Sequence, residues 1–336
     1  MAARRIQQTG IRVAAFHLIL SPHMTSLPEA QQVAKLLELD LHVLDVSEEF
    51  ERLVVEPFVQ GYLRGETPSP CVACNPAVKF GLLASQASGL GARFLATGHY
   101  AGLHFPADSE IPCLTRPRDS RKDQTYFLCR LRPEHLAAAV FPLADLTKDQ
   151  IKAEAEKLGL ASKNESQEIC FLAGADYRAF VAERLGKKAW KEGRFVDTTG
   201  RELGRHQGFW RYTVGQRRGL GLPGPEPYYV VALRPETNEV VIGTKSDTFG
   251  QTFFIRDLVL SHRLEEQRFS ALVQVRSRHK PAPAVVEVLG DGRAMITFDT
   301  PQSAIAPGQA AAIYQGSRLL GGGWIETIVE TNESGE

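Results

Sequence analysis

The sequence predicts an α/β first half followed by an all-β carboxyl-terminal domain. Apolar runs alternate with amphipathic helical stretches up to about residue 160, the mark of a parallel, doubly wound sheet. From about residue 200 the apolar period drops to two and turn residues recur, the mark of a small β-barrel or sandwich. Residues 1–10 read as a helix, and residues 12–20 as a buried parallel strand. That run is too short to cross a bilayer, Arg12 and His17 interrupt it, and no small-residue cleavage site follows. Ser26-Leu27-Pro28-Glu29 reads as a capping box opening a helix that places Val33, Leu36 and Leu37 on one face. Residues 41–46 form the next strand, and 78–87 a helix ending at Gly89. Residues 94–97 form a short strand that breaks at Gly98-His99-Tyr100. Thr147-Lys148-Asp149-Gln150 caps a further helix closing at Gly159. Ligands of such sheets lie beyond the carboxyl ends of strands, where Gly98 lets a backbone approach closely. In the second half, runs 228–232 and 240–242 flank a turn at 235–238, and 284–289 and 294–298 flank Gly290-Asp291-Gly292. Runs 311–314 and 321–325 complete the strands, and the polar tail 326–336 is expected to fray.

The 336 residues, 43% hydrophobic and 23% charged, suffice for two or three domains of an ordinary globular protein. Five irregularly spaced cysteines argue against a secreted disulfide scaffold and for a reducing cytoplasm, with no membrane partner. Net charge is zero, but residues 176–218 carry 11 Lys/Arg against 5 Asp/Glu, a net +6. Trp190, Phe195, Trp210 and Tyr212 interleave with these cations, a pattern that suits RNA as readily as a solvated face.

Three cysteines sit in polar surroundings, in Pro68-Ser69-Pro70-Cys71-Val72-Ala73-Cys74-Asn75 and Glu165-Ser166-Gln167-Glu168-Ile169-Cys170-Phe171. Thiols set among Pro, Asn, Ser and Glu read as reactive, whereas Cys113 and Cys129 read as apolar fillers. Cys74 is expected just before a helix start, where the helix dipole favours thiolate. Cys71-x-x-Cys74 alone also fits a zinc half-site or a dithiol oxidoreductase, although no second such pair completes a four-cysteine zinc site. Taken alone, His99 reads as a structural histidine, Lys122-Asp123-Gln124 as a solvated turn, and 212–220 as a β-hairpin.

Ordered motifs then carry a resemblance over nearly the whole chain. They are Thr67-Pro68-x-Pro70-x-x-x-Cys74-Asn75 with Lys79-Phe80-Gly81, Ala96-Thr97-Gly98-His99-Tyr100, Lys122-Asp123-Gln124-Thr125-Tyr126-Phe127-Leu128 and Phe141-Pro142-Leu143. The cysteine segment at 165–171, Tyr212-Thr213-Val214-Gly215-Gln216-Arg217-Arg218-Gly219-Leu220 and Pro307-Gly308-Gln309 complete the set. In order and spacing the chain resembles the tRNA-uridine 2-sulfurtransferases. The resemblance implies an adenine-nucleotide α-hydrolase-like parallel sheet domain over 1–173, a small central tRNA-binding domain over 174–248 and a β-barrel over 249–336. It implies that ATP with Mg²⁺ adenylates O2 of the wobble uridine of tRNA, and that a persulfide sulfur then displaces AMP. By position, Cys170 is the persulfide carrier and Cys74 the nucleophile, with a disulfide expected in the cycle. Leu18 and Gly98 correspond to ATP contacts. Ser69, Pro70, His99, Lys122, Asp123, Gln124, Arg276, Ser277 and Gln309 correspond to tRNA contacts. A sulfur-relay protein or a cysteine desulfurase is the implied donor.

Two departures qualify this. The family's Ser-Gly-Gly-x-Asp-Ser phosphate loop occurs nowhere in the sequence. A late start site is the favoured explanation and an inactive tRNA-binding paralogue the alternative; either way weak ATP binding in calorimetric titration is expected. Cys71, which with Ser69 and Pro70 corresponds to the loop around the target base, stands where the family often carries Asp. With Cys74 and Cys170 it supplies three ligands for a [4Fe–4S] cluster, the minority route beside the persulfide.

Overall fold

A computed structural model of the chain describes residues 1–21, 26–106, 110–160, 169–186, 190–224, 226–262 and 266–329. The first half is α/β, with parallel pairing as expected. Strand β1 (Ala14–Ile19) pairs in parallel with β2 (Asp40–Asp45). Strand β3 (Leu95–Ala96) is followed by an antiparallel hairpin of β4 (Gly102–His104) and β5 (Cys113–Thr115), and pairs in parallel with β6 (Ala139–Val140). The pairs β1–β2 and β3–β6 remain separate two-stranded pieces. The amino-terminal helix Ala2–Gln7 reaches both sides: Gln7 donates to the carbonyl of Leu37 (2.9 Å), and Arg5 pairs with Glu154 (3.6 Å). The cap at Thr147 forms as expected, opening the helix Lys148–Lys157. The one at Ser26 does not. The helix Leu27–Leu36 starts there, but the Ser26 side chain makes no capping hydrogen bond, and Pro28 in the first turn already removes one of the N–H groups needing a partner.

The central region forms a four-stranded sheet in the order β8-β7-β10-β9, built from β7 (Gly193–Asp197), β8 (Glu202–His206), β9 (Tyr229–Arg234) and β10 (Glu239–Gly243). The hairpin alternative for 212–220 is not realised. That stretch holds no strand, and Gly215 and Gly219 take positive φ. The carboxyl-terminal strands are β11 (Phe249–Leu260), β12 (Arg268–Gln274), β13 (Ala282–Leu289), β14 (Arg293–Ser303), β15 (Ala310–Gln315) and β16 (Arg318–Val329). A β11–β16 pairing closes them into a six-stranded barrel. Its interior is filled by Phe253, Ile255, Val286, Ile296, Phe298 and Ile313, all fully buried, each contributing roughly 1.5–3 kcal/mol.

Two features bind the barrel to the first half. The hairpin strand β5 extends the barrel sheet by pairing Leu114 with Leu319. Strand β15 is buried on both faces: Ala311 and Ile313 point into the barrel, while Ala310, Ala312 and Tyr314 pack against Val72, Phe80, Tyr126 and Leu128 of the first half. Thr125 Oγ1 meets the Tyr314 hydroxyl (3.1 Å), and the Tyr126 hydroxyl donates to the carbonyl of Ala310 (3.1 Å).

Candidate active site

The thiol-bearing helix starts earlier than the sequence suggested. Pro70–Cys74 is already α-helical, Asn75–Leu83 widens into a π-helix, and Ala84–Gly89 returns to α. Pro70 suits the first helical position, whereas Pro76 lacks the N–H that an interior turn needs, and the widened turn accommodates it. A Cβ on Gly81 would lie 2.7 Å from the carbonyl oxygen of Pro76, so only glycine passes that turn. Cys74 therefore lies within the helix instead of ahead of it, and it is buried.

The helix divides its side chains between two cores. Val72 and Phe80 face the barrel interface, while Cys74 and Val78 join a second cluster with Phe50, Phe58, Phe171 and Leu172. Asn75, 2% exposed, pins the helix by donating to the carbonyl of Phe127 (2.8 Å). Cys170 opens a short 3₁₀ turn, Cys170–Leu172, which Ala173 ends in the left-handed region (φ 48°). Phe171 anchors that turn edge-to-face against Phe58, with ring centroids 5.2 Å apart. Ile169, Phe171 and Leu172 share a cluster with Cys74, so the two distant cysteine segments meet. Cys71 and Cys170 are exposed. The Glu165–Glu168 part of the motif lies outside the described residues.

The electrostatics report the same meeting. Burial pushes the Cys74 thiol up to about 11; Lys79 opposes this, and charge on Cys170 and Cys71 adds to it. At that value roughly one molecule in ten thousand carries the Cys74 thiolate at pH 7. The helix dipole thus loses to desolvation, against the expectation of a depressed value. Desolvation also raises Cys71, followed by the influence of Cys170, and raises Cys170, with Lys79 opposing in both cases. All five cysteines are free thiols, so the disulfide expected of the cycle is not formed here. Cys113 and Cys129 are buried fillers, as expected.

The other sequence-predicted residues divide. Gly98 is exposed just past β3, and a Cβ there would meet only Leu143 Cδ1 at 4.0 Å, leaving room for a ligand. Leu18 of β1 is half-buried against the thiol cluster. An open groove at the carboxyl ends of β1 and β2 is lined by Leu20, Ser21, Ser47, Glu48, Glu51 and Arg52. His99 is buried, its Nδ1 2.9 Å from Thr97 Oγ1, and desolvation, helped by Lys79, lowers it to about 3, so its ring is neutral. Asp123 accepts from Arg116 (2.6 Å) and from the Thr125 hydroxyl (2.6 Å), and Gln124 accepts from the backbone of Tyr100 (2.8 Å). Lys122 is half-buried beside them. Gln309 donates to the carbonyl of Thr67 (2.7 Å), and Thr67 N–H donates to the carbonyl of Pro307 (2.7 Å). The barrel's Pro307-Gly308-Gln309 loop thus grips the base of the Cys71–Cys74 segment, whose Ser69 and Pro70 are buried. Arg276 bonds the carbonyl of Ser303 (3.1 Å) and Ser277 is exposed, both on the barrel. Sequence reading gave no role to Asn75 or to the Gly308 turn; their position inside the motifs was the available signal.

Among the described residues, no group of three His, Cys, Asp or Glu side chains is gathered to hold a metal ion. The thiols as arranged do not fit a [4Fe–4S] cluster. Part of the basic segment is paired within the protein: Arg178, Arg201 and Arg205 meet the segment's own carboxylates, and Arg184 and Arg194 meet Glu51 and Glu239 from outside it, so most of the positive excess stays unpaired with carboxylates among the described residues. Arg211 lies over the rings of Trp190 and Trp210, both at 5.3 Å, while Arg217 and Arg218 are exposed. Lys187 and Lys188 lie outside the described residues. No helix among the described residues is long and apolar enough to cross a membrane.

Three family models match in chain order. Residues 4–174 match a tRNA methyl transferase HUP domain, 178–244 a tRNA methyl transferase PRC-barrel domain, and 251–325 an aminomethyltransferase beta-barrel domain. The chain is similar to the tRNA-specific 2-thiouridylase MnmA of Carboxydothermus hydrogenoformans, 48% identical over 89% of this chain and 82% of the relative. It is similar to the protein of the same name from Desulforudis audaxviator, 43% identical over 96% of this chain and 94% of the relative. The Moorella thermoacetica relative, also so named, is 40% identical over 98% and 96%.

Proposed function

The chain belongs to the tRNA-specific 2-thiouridylase family of sulfurtransferase enzymes, and from that premise we propose how its thiols work. ATP is the activating substrate: O2 of the wobble uridine takes the adenylyl group and pyrophosphate leaves. Cys170 carries a sulfane sulfur, received as a persulfide from a donor protein. Its terminal sulfur attacks C2 of the activated uridine and AMP departs with the former O2. Cys74 then attacks the Cys170 sulfur, breaking the S–S bond, leaving sulfur on the base and forming a Cys74–Cys170 disulfide that an external thiol reductant reopens.

The observation that supports this reading is the packing of the segments around Cys74 and Cys170 in one cluster. Exposure supports this division of labour. Cys170 is open enough to meet a donor, while buried Cys74 stays protonated and inert until the intermediate forms. Gly98, with open space beside it, suits the adenylate. Ser69, Pro70, His99, Lys122, Asp123, Gln124, Arg276, Ser277 and Gln309 frame the tRNA path, and the buried ones among them position their neighbours. RNA affinity from phosphate contacts falls steeply with added salt. Replacing Cys170 with Ser abolishes thiolation while leaving tRNA affinity within about twofold, since one oxygen-for-sulfur change removes no phosphate contact. Mass spectrometry of tRNA nucleosides beside a filter-binding isotherm measures both. Thiolation persisting in that variant sinks the assignment.

A further inference from the structure

The site's sulfur chemistry is anionic, and the protein supplies little to balance it. Across residues 65–92, 94–115 and 169–177, which carry Cys71, Cys74, Gly98, His99 and Cys170, Lys79 is the only Lys or Arg. It sits five residues after Cys74 in the π-helix Asn75–Leu83, whose wider turn brings residues five apart over one another. It is half-buried, and among the described residues no carboxylate pairs with it. Its neighbour Phe80 lies 6.3 Å from the His99 ring, so this turn of helix spans the distance between the thiols and the end of β3.

We propose that Lys79 is a positioning residue that holds the site's sulfur anions, stabilising the Cys170 sulfur while it is loaded and the Cys74 thiolate while it attacks. The proposal rests on the sulfur-transfer reading above. The widened turn that accommodates Pro76 also keeps Lys79 near the face of Cys74, since an α-helical turn would rotate it away by about one residue's 100°. Lys79 also gives the buried Cys74 a partner when it ionises, since an anion leaving water without one is strongly disfavoured. Each of the three thiols is eased downward by Lys79 against desolvation, and at His99, which desolvation keeps neutral, the same charge adds to the lowering.

The test is alkylation of the full chain by iodoacetamide across pH 6 to 10, each thiol quantified by peptide mass spectrometry, in wild type, Lys79→Met, Lys79→Gln and Lys79→Arg. Both neutral variants should slow alkylation of Cys170 at pH 8 by about tenfold, the effect of a one-unit rise in its titration. Arg should restore most of the rate. The buried Cys113 and Cys129 should respond alike in all four proteins. An unchanged Cys170 profile in the neutral variants, or a loss that Arg fails to restore, overturns the proposal. Because the assay uses no tRNA, its outcome is independent of whether Cys170→Ser abolishes thiolation.

Discussion

At the scale of single residues, His99 shows how burial selects a protonation state. Its folded value of about 3 lies far below the ordinary 6.5, with desolvation the main cause. A depressed histidine stabilises the fold fully above pH 6.5, and the contribution is lost as pH falls toward 3. At pH 4.5 the loss amounts to about 3 kcal/mol. Urea midpoints at pH 7 and pH 4.5 should therefore converge in His99→Gln relative to wild type. An identical pH dependence in the two proteins would place the acid sensitivity elsewhere. The role of His99 as a buried ring was one of two readings its sequence context allowed. Only its neighbours, Thr97, Phe80 and Phe141, decide how dry it is.

At the scale of elements, the helix from Pro70 to Gly89 concentrates the site. Glycine inside a helix ordinarily costs up to about 1 kcal/mol relative to alanine, so Gly81→Ala would stabilise a regular helix. Here the added methyl meets the Pro76 carbonyl at 2.7 Å, which reverses the sign. We expect Gly81→Ala to destabilise the protein by about 1–3 kcal/mol, the scale of an overpacked interior, in denaturant titration. A rise in the unfolding midpoint would show that the helix re-forms an α turn without penalty. The sequence marked this segment by its motif and by Gly89 at its end. It did not reveal the widened turn, because a π-helix has no residue pattern of its own and depends on how Pro76 is accommodated.

At the scale of the molecule, stability is uneven. The barrel interior is fully buried and its sheet closes on itself, whereas no residue of β1 or β2 is buried. Native-state amide exchange should show the β13–β14 and β15–β16 amides protected to near the global limit and the β1–β2 amides opening well before them. Equal protection in both would mean that the two-stranded piece is held by more than its own pairing. The barrel also reaches the site directly. Gly308 takes φ +84° and its missing Cβ would sit 2.7 Å from Glu66, so the Pro307–Gln309 loop and the base of the cysteine segment fit only without a side chain there.

Much of this was legible beforehand. Period-two runs gave the barrel strands at 284–289 and 294–298, where buried and less buried positions alternate, while 311–314 was legible as a short apolar run because β15 is buried on both faces. Strands β7 and β8 escaped because residues 193–206 are polar and glycine-rich, and the pairing that ties their hairpin into the sheet, β7 with β10, joins residues 45 positions apart. The motifs nominated the residues proposed to carry the chemistry, because reactive groups must be particular side chains at particular spacings. What the tertiary structure alone decided is their state. Desolvation depends on what packs around a group from distant parts of the chain, so it took the folded protein to make Cys74 a buried, protonated thiol packed with the residues that flank Cys170 and to set the charge of Lys79 against that burial.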